Sequence, residues 1–380
     1  MEYEIVKISE YDNMYDYFNI KNDGEVDIYY KDSKKFNGKV EVYGFNEILL
    51  IEGSIANGLK TGEWKQYYNN KNVKNISFYV DGYLEGKTYE YAENGNIILE
   101  GLFKNNKKEG KWKWYHPNGQ LELVGEYKND LREGKYIEYY ENGVISLESN
   151  FKNGKENGKI RTYYESSSLQ SEYEKYNDKL VDIYKIYYET GQLEYSGRYI
   201  DDKKEGKWIN YYETGEIKSE EMWVDNQLSG EHIFYYKNGK VKTKVKKVEG
   251  KEEGLLTRYY ENGQLEETQY FTEGVLNGPF KQYNSDGNIS QEGNYKNDLL
   301  DGKRIVYYDD ESGLKEAELS YIAGKKNGEC IFYQENGFIE MKQMYLNDEL
   351  DGEVEYYDEF GKIMLKELYR EGEYVKDTYY

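Results

Sequence analysis

The residues able to do acid–base, nucleophilic or metal chemistry in this chain are few or scattered. Histidine occurs twice, as His116 and His232, and cysteine once, as Cys330. A Cys/His zinc site needs four ligands, which this inventory cannot supply. Cys330 stands where Trp64, Trp112 and Val354 stand in equivalent segments, so it reads as a small packed residue. The Gly-Lys pairs Gly110-Lys111 and Gly134-Lys135 lack the frame of a phosphate loop. Carboxylates are abundant, and a glycosidase needs only two of them. Yet Glu141, Glu165, Glu189, Glu213 and Glu261 recur at one repeated position beside a turn, the mark of a solvated face. "DGNISQEG" and "YYDDESG" lack the ligand spacing of a calcium loop. The expectation is a protein that is not an enzyme, with no catalytic residue, no metal and no cofactor.

What does recur is tyrosine. It occurs 47 times, beside 38 glycines and only 2 prolines. Taking Gly38 as position 0, the same phrase returns every 24 residues through Gly62, Gly86, Gly110, Gly134 and Gly158, then Asp182, then Gly206 to Gly302. A two-residue insertion in "YYDDESG" moves the lattice to Gly328 and Gly352. Position +5 is Tyr in all 14 units, from Tyr43 to Tyr357. Position +9 is usually Gly, and six times the pair is Asn-Gly, as at Asn142-Gly143. Position +11 is usually aliphatic (Ile97, Leu121, Leu193), and position +17 is usually aromatic (Phe103, Tyr127, Trp223).

Asn-Gly between two β-rich runs predicts a hairpin with a type I′ turn, which requires φ > 0 at both central residues. Each unit therefore reads as a strand over +1 to +6, a turn, and a returning strand over about +10 to +18. Turns such as "KNDLREG" lead to the next unit. By the period-2 rule, +11, +13, +15 and +17 share a face. Position +5 is expected to build the core line. One 24-residue hairpin cannot stand alone in water, so the units must stack. The predicted fold is all-β: an elongated repeat of about 14 antiparallel hairpins, with tandem repeats over 38–380 and a degenerate capping segment over 1–37. "VKDTYY", ending at Tyr380, reads as the start of a further unit, either a capping strand or a trimmed edge.

A net charge of −22 disfavours nucleic acid and anionic membrane surfaces, and favours a basic protein partner. No apolar run reaches the length of a membrane span. The single cysteine fits a reducing compartment, so a cytoplasmic location is expected. One island departs from the acidic pattern, "KNGKVKTKVKKVEGK" from Lys237 to Lys251. It is either a solvated edge that blocks aggregation or a docking patch.

"GEWKQYYNN", "GKWKWYHPNGQLELVGEYKND" and "GKWINYYETGEIKSEEMWVDN" resemble the bacterial variant of the MORN repeat, over roughly residues 38–380. The resemblance implies β-hairpins stacked into a grooved sheet and no catalytic positions. It also implies roles as an antitoxin of a toxin–antitoxin pair, or as a scaffold. The chain departs from the pattern at Asp182, and at the turn positions Ser167, Lys71 and Glu47, where the units are expected to turn differently.

Positions +5 and +6 are adjacent in a strand and face opposite ways. The candidate partner-binding row is therefore +6: Tyr68, Tyr140, Tyr164, Tyr188, Tyr212, Tyr236, Tyr260 and Tyr308. Closely spaced tyrosines suit protein interfaces. The same rings would serve a surface scaffold that stacks glycan or peptidoglycan.

Overall fold

The computed structural model describes residues 4–9 and 17–380. The chain divides into two compact units, Met1–Gly191 and Gln192–Tyr380, built from the same hairpin. Strands make up nearly all of the regular structure among the described residues, and a 3-10 turn spans Phe45–Glu47.

The hairpin is clearest at Leu131–Tyr139 and Ile145–Lys152. Gly134 faces Phe151, Tyr136 faces Ser149, and Glu138 faces Leu147. The register then shifts, so that Tyr139 faces Ile145. This bulge interrupts the alternation at +12, leaving +13, +15 and +17 as the residues that share a face. The first strand is longer than the sequence predicts. It begins at Leu131, before the glycine at position 0, because that glycine sits in a second bulge between the Gly125–Tyr136 and Tyr127–Arg132 pairs. A bulge of this kind puts one residue in the left-handed region, where glycine carries no Cβ penalty. Gly134 has φ +78° there, and Asp182 adopts φ +60° at the equivalent place.

The two turn types are distributed differently from the expectation. At Tyr140–Val144 the turn is closed by Tyr140 N–H to the Val144 carbonyl at 2.8 Å and Gly143 N–H to the Tyr140 carbonyl at 2.9 Å. Gly143 is left-handed (φ +84°) and Asn142 is not, so the Asn-Gly turn is not type I′. The asparagine has another role. Its Oδ1 accepts the Val144 N–H at 2.9 Å, and its amide donates to the Glu165 carbonyl of the next repeat at 3.2 Å. Turns with two left-handed residues occur instead at the junctions between repeats, as at Asn129 (φ +51°) and Asp130 (φ +69°). Nor do the departing turns at Lys71 and Ser167 bend differently. Both residues adopt the glycine conformation (φ +71° and +73°) and make the same bond back, to Tyr68 and Tyr164. Only the turn at Glu47 differs, with Asn46 also left-handed.

In the first unit, Glu4–Ser9 pairs in parallel with Gly38–Tyr43. A small sheet of Asn19–Asn22, Asp27–Lys31 and Lys34–Lys35 lies beside it. Phe18, Tyr29 and Phe36 pack with Val6, Ile8, Val40, Val42, Ile55 and Trp64 into a compact core. The segment 10–16 of the expected cap lies outside the described residues. In the second unit, Glu373–Tyr379 pairs with Ile363–Arg370.

Candidate binding surface

Each hairpin has two unlike faces, and the sequence reading assigned one of them wrongly. The buried line is position +2. Val40, Trp64, Thr88, Trp112, Tyr136, Ile160, Trp208, His232, Leu256, Phe280, Cys330 and Val354 are buried, while Tyr184 and Arg304 are half-buried. The tyrosines at +5 are half-buried in every unit, and none forms part of that line. Position +2 varies in residue type, so its periodicity was hidden behind the invariant tyrosine.

The +2 face is assembled by size matching across a repeat boundary. Trp64, Trp112 and Trp208 lie over Gly53, Gly101 and Gly197, whose missing Cβ would stand 2.1, 2.2 and 1.8 Å from the indole. The indole N–H of Trp112 reaches the Leu102 carbonyl at 3.1 Å. A lysine covers each ring. Lys108 Nζ lies 4.5 Å from the Trp112 ring centroid and 5.2 Å from those of Trp114 and Tyr127. Lys204 lies 4.4 to 4.9 Å from Trp223, Trp208 and Tyr195. Burial lowers the pKa of both ammonium groups, and the ring quadrupoles supply the attraction that holds the cation there.

The opposite face is a ladder of charges in which the +5 tyrosine takes part. Tyr115 donates to Glu100 at 2.8 Å, and Lys113 reaches the same carboxylate at 2.5 Å. Tyr163 donates to Glu148 and Tyr307 to Glu292 in the same geometry. Burial and the bond to Glu52 push the Tyr67 phenol up to about 12, and Tyr307 likewise with Glu292. Glu318 collects Lys315 at 2.6 Å, Lys303 at 2.9 Å and Tyr333 at 3.2 Å. The two lysines hold its carboxyl down at about 2.

The eight tyrosines at +6 are all half-buried. The hydroxyls of seven of them are stitched to the next repeat. Tyr68 donates to the Tyr91 carbonyl at 2.7 Å, Tyr140 to Tyr163 at 2.7 Å, and Tyr164 to Tyr187 at 2.9 Å. Tyr212, Tyr236 and Tyr260 donate to Tyr235, Tyr259 and Tyr283 at 2.7 to 2.8 Å, and Tyr308 donates to Tyr333. His116 makes the same bridge to the Tyr139 carbonyl at 2.9 Å. The row thus has a structural duty, while part of each ring remains in contact with solvent.

The remaining candidates fall into place. Glu141, Glu165, Glu189, Glu213 and Glu261 are exposed beside the turns. In the basic island, Lys244 pairs with Glu231 and Lys247 with Glu252, while Lys242 lies over the Tyr236 ring. Among the described residues, no cluster of three or more His, Cys, Asp or Glu is placed to hold a metal ion. No helix among them is long and apolar enough to cross a membrane.

The profile of the MORN repeat variant matches ten segments: 60–81, 84–105, 108–129, 132–153, 183–201, 204–225, 228–246, 252–273, 276–297 and 350–371. Together they cover more than half of the chain. This protein belongs to the MORN-repeat-variant family. Repeats of this family are generally non-catalytic and serve binding. Nine of the ten matched segments begin two residues before position 0 of the lattice, and the tenth begins just after Asp182, so the profile spans the turn and both strands of one hairpin. Among solved structures, the MORN chain is similar to that of TcdB2-TccC3-Cdc42 at 10% identity and TM-score 0.17, over 89% of this chain and 24% of that one. It is similar to choline binding protein F from Streptococcus pneumoniae at 13% identity and TM-score 0.18, over 72% and 98% of the two chains. A third is the Photorhabdus luminescens Tc holotoxin pore, at 11% identity and TM-score 0.15, over 87% and 23%. The chain thus spans about a quarter of the length of the toxin-complex chains. No curated protein matches the sequence significantly.

Proposed function

We propose that this MORN protein is a non-catalytic binding protein whose partner is a basic protein, in an antitoxin- or immunity-like role. The observation that carries the reading is the charge. The net value is −22, and exposed glutamates recur beside the turns from one repeat to the next. Such a periodic field steers a cationic partner and makes its capture salt-sensitive. The +6 tyrosines supply apolar, partly exposed rings along the same turns, the residue type that interfaces favour. The single thiol of Cys330, fully buried, is in keeping with a cytoplasmic setting.

The test is co-purification of the tagged chain from its own cells at low and at high salt. A stoichiometric basic protein retained at about 50 mM salt and lost at about 500 mM is the expected result. Recovery of no stoichiometric protein overturns the proposal. A second reading is favoured by one observation: the hydroxyl stitches fix the +6 rings in place while leaving part of each exposed. Rigid, spaced rings are suited to stacking sugars, as in a cell-surface scaffold for glycan or peptidoglycan. Glycan binding that persists at high salt would support that role.

A further inference from the structure

The last strand residue before each junction turn, position +18, lies on the face opposite the buried +2 line, since it alternates with +17. In the first unit three successive repeats place Lys104, Lys128 and Lys152 there, between Val80 and Tyr176, which are 54% and 62% exposed. In the second unit the same position holds Ile200, Val224, Val248, Ile322 and Leu346, with 46%, 49%, 43%, 58% and 48% of their surfaces exposed. Thr272 and Lys296 interrupt the row, but Leu299, the register partner of Lys296, carries it past the second gap and is 47% exposed. Leu255 and Tyr270 face each other across adjacent strands of the same face, at 50% and 43%. Isolated exposed aliphatics are ordinary. Five apolar residues at one register of the second unit are not a scatter. Exposed acids on the junction turns border the row at Val224, Val248, Thr272, Leu299 and Leu346, namely Asp225, Glu249, Glu273, Asp298 and Asp348, while Ile322 is followed by Ala323.

We infer that this stripe is a docking surface for a basic amphipathic α-helix of another protein. The inference rests on the basic-partner reading above and names its surface. One repeat contributes two strands, so the stripe offers an apolar side chain about every 9.6 Å. A helix repeats its seam every seven residues, about 10.5 Å. An extended strand repeats its face about every 6.8 Å and falls out of step. The acidic border calls for lysine or arginine on the flanks of that helix.

The test uses the full chain and two labelled synthetic peptides of equal composition. One places leucine at heptad spacing with lysine flanks; the other is its scramble. The heptad peptide should bind at least tenfold tighter by fluorescence anisotropy, and Val224→Lys with Val248→Lys should abolish that advantage. Lysine is already accommodated at the equivalent Lys104, Lys128 and Lys152, so an unchanged melting curve confirms the fold. Equal binding of the two peptides overturns the stripe while leaving a basic partner in place. Binding of neither overturns both. If the wild-type chain self-associates in sedimentation and the lysine variant does not, the occupant is a second copy, and the helix inference fails.

Discussion

The indole of Trp112 occupies the space above Gly101 where any other residue would place its Cβ, 2.2 Å from the ring. The two residues belong to successive repeats, so this contact is one of the joints by which a hairpin holds its neighbour. Gly101→Ala is expected to destabilise the chain by about 3 kcal/mol through overpacking. Trp112→Ala, which also strips Lys108 of its nearest ring, should cost about 3–5 kcal/mol. Chemical denaturation of the two variants checks both values. A glycine variant as stable as wild type would show that the ring moves aside without cost.

The hydroxyl stitches give a second expectation. Tyr140→Phe or Tyr164→Phe should cost about 1 kcal/mol each, because a neutral hydrogen bond to a backbone carbonyl is lost while the ring stays. Amide hydrogen exchange should quicken in the repeats on both sides of the substituted tyrosine. If the row served binding alone, exchange would be unaltered.

Two turns carry a side chain in a backbone conformation that suits glycine. Ser167→Gly and Lys71→Gly should each stabilise the chain by about 0.5–1 kcal/mol. The left-handed penalty is removed at a smaller loss of chain entropy. A fall in melting temperature for either variant would mean that the side chain makes a contact worth more than the strain.

The tyrosine–carboxylate face predicts opposite responses at the two ends of the pH scale. Folding raises the Tyr67 and Tyr307 phenols from 10 to about 12, so their contribution is intact below pH 10 and is lost as pH climbs through 12. Folding depresses Glu318 from 4.5 to about 2, so its contribution is present above pH 4.5 and is lost as pH falls towards 2. Melting temperature should therefore drop in both windows. Glu318→Gln should cost about 1–2 kcal/mol at neutral pH and flatten the acid side.

The hairpin, its period and its all-β character were legible in the sequence, because tyrosine, glycine and Asn-Gly recur at fixed offsets. The assignment of faces was not. Seven tyrosines at position +5, Tyr115 among them, give their hydroxyls to a carboxylate, and none of the fourteen fills the buried line. The buried position +2 varies in residue type, and its tryptophans stand where the preceding repeat supplies a glycine, a pairing that a search for identical residues does not detect. The turn types were exchanged for a related reason. Asn142 looked like a left-handed residue, whereas its amide is used to bond the next repeat, and the doubly left-handed turns fall at Asn129-Asp130. The exposed +18 stripe was invisible because Val, Ile and Leu are what any strand would carry, and only the structure separates inward from outward.

The stitches that run from each repeat to its neighbour have a mechanical consequence. Tyr140 and Asn142 attach their hairpin to the one that follows, and Tyr115 attaches its own to the one before. Under tension applied along the chain, such an array should yield one hairpin at a time. Each rupture would release about 80 Å of contour, the extended length of 24 residues. The chain would behave as a series of near-identical extensible links rather than as a body with one breaking point.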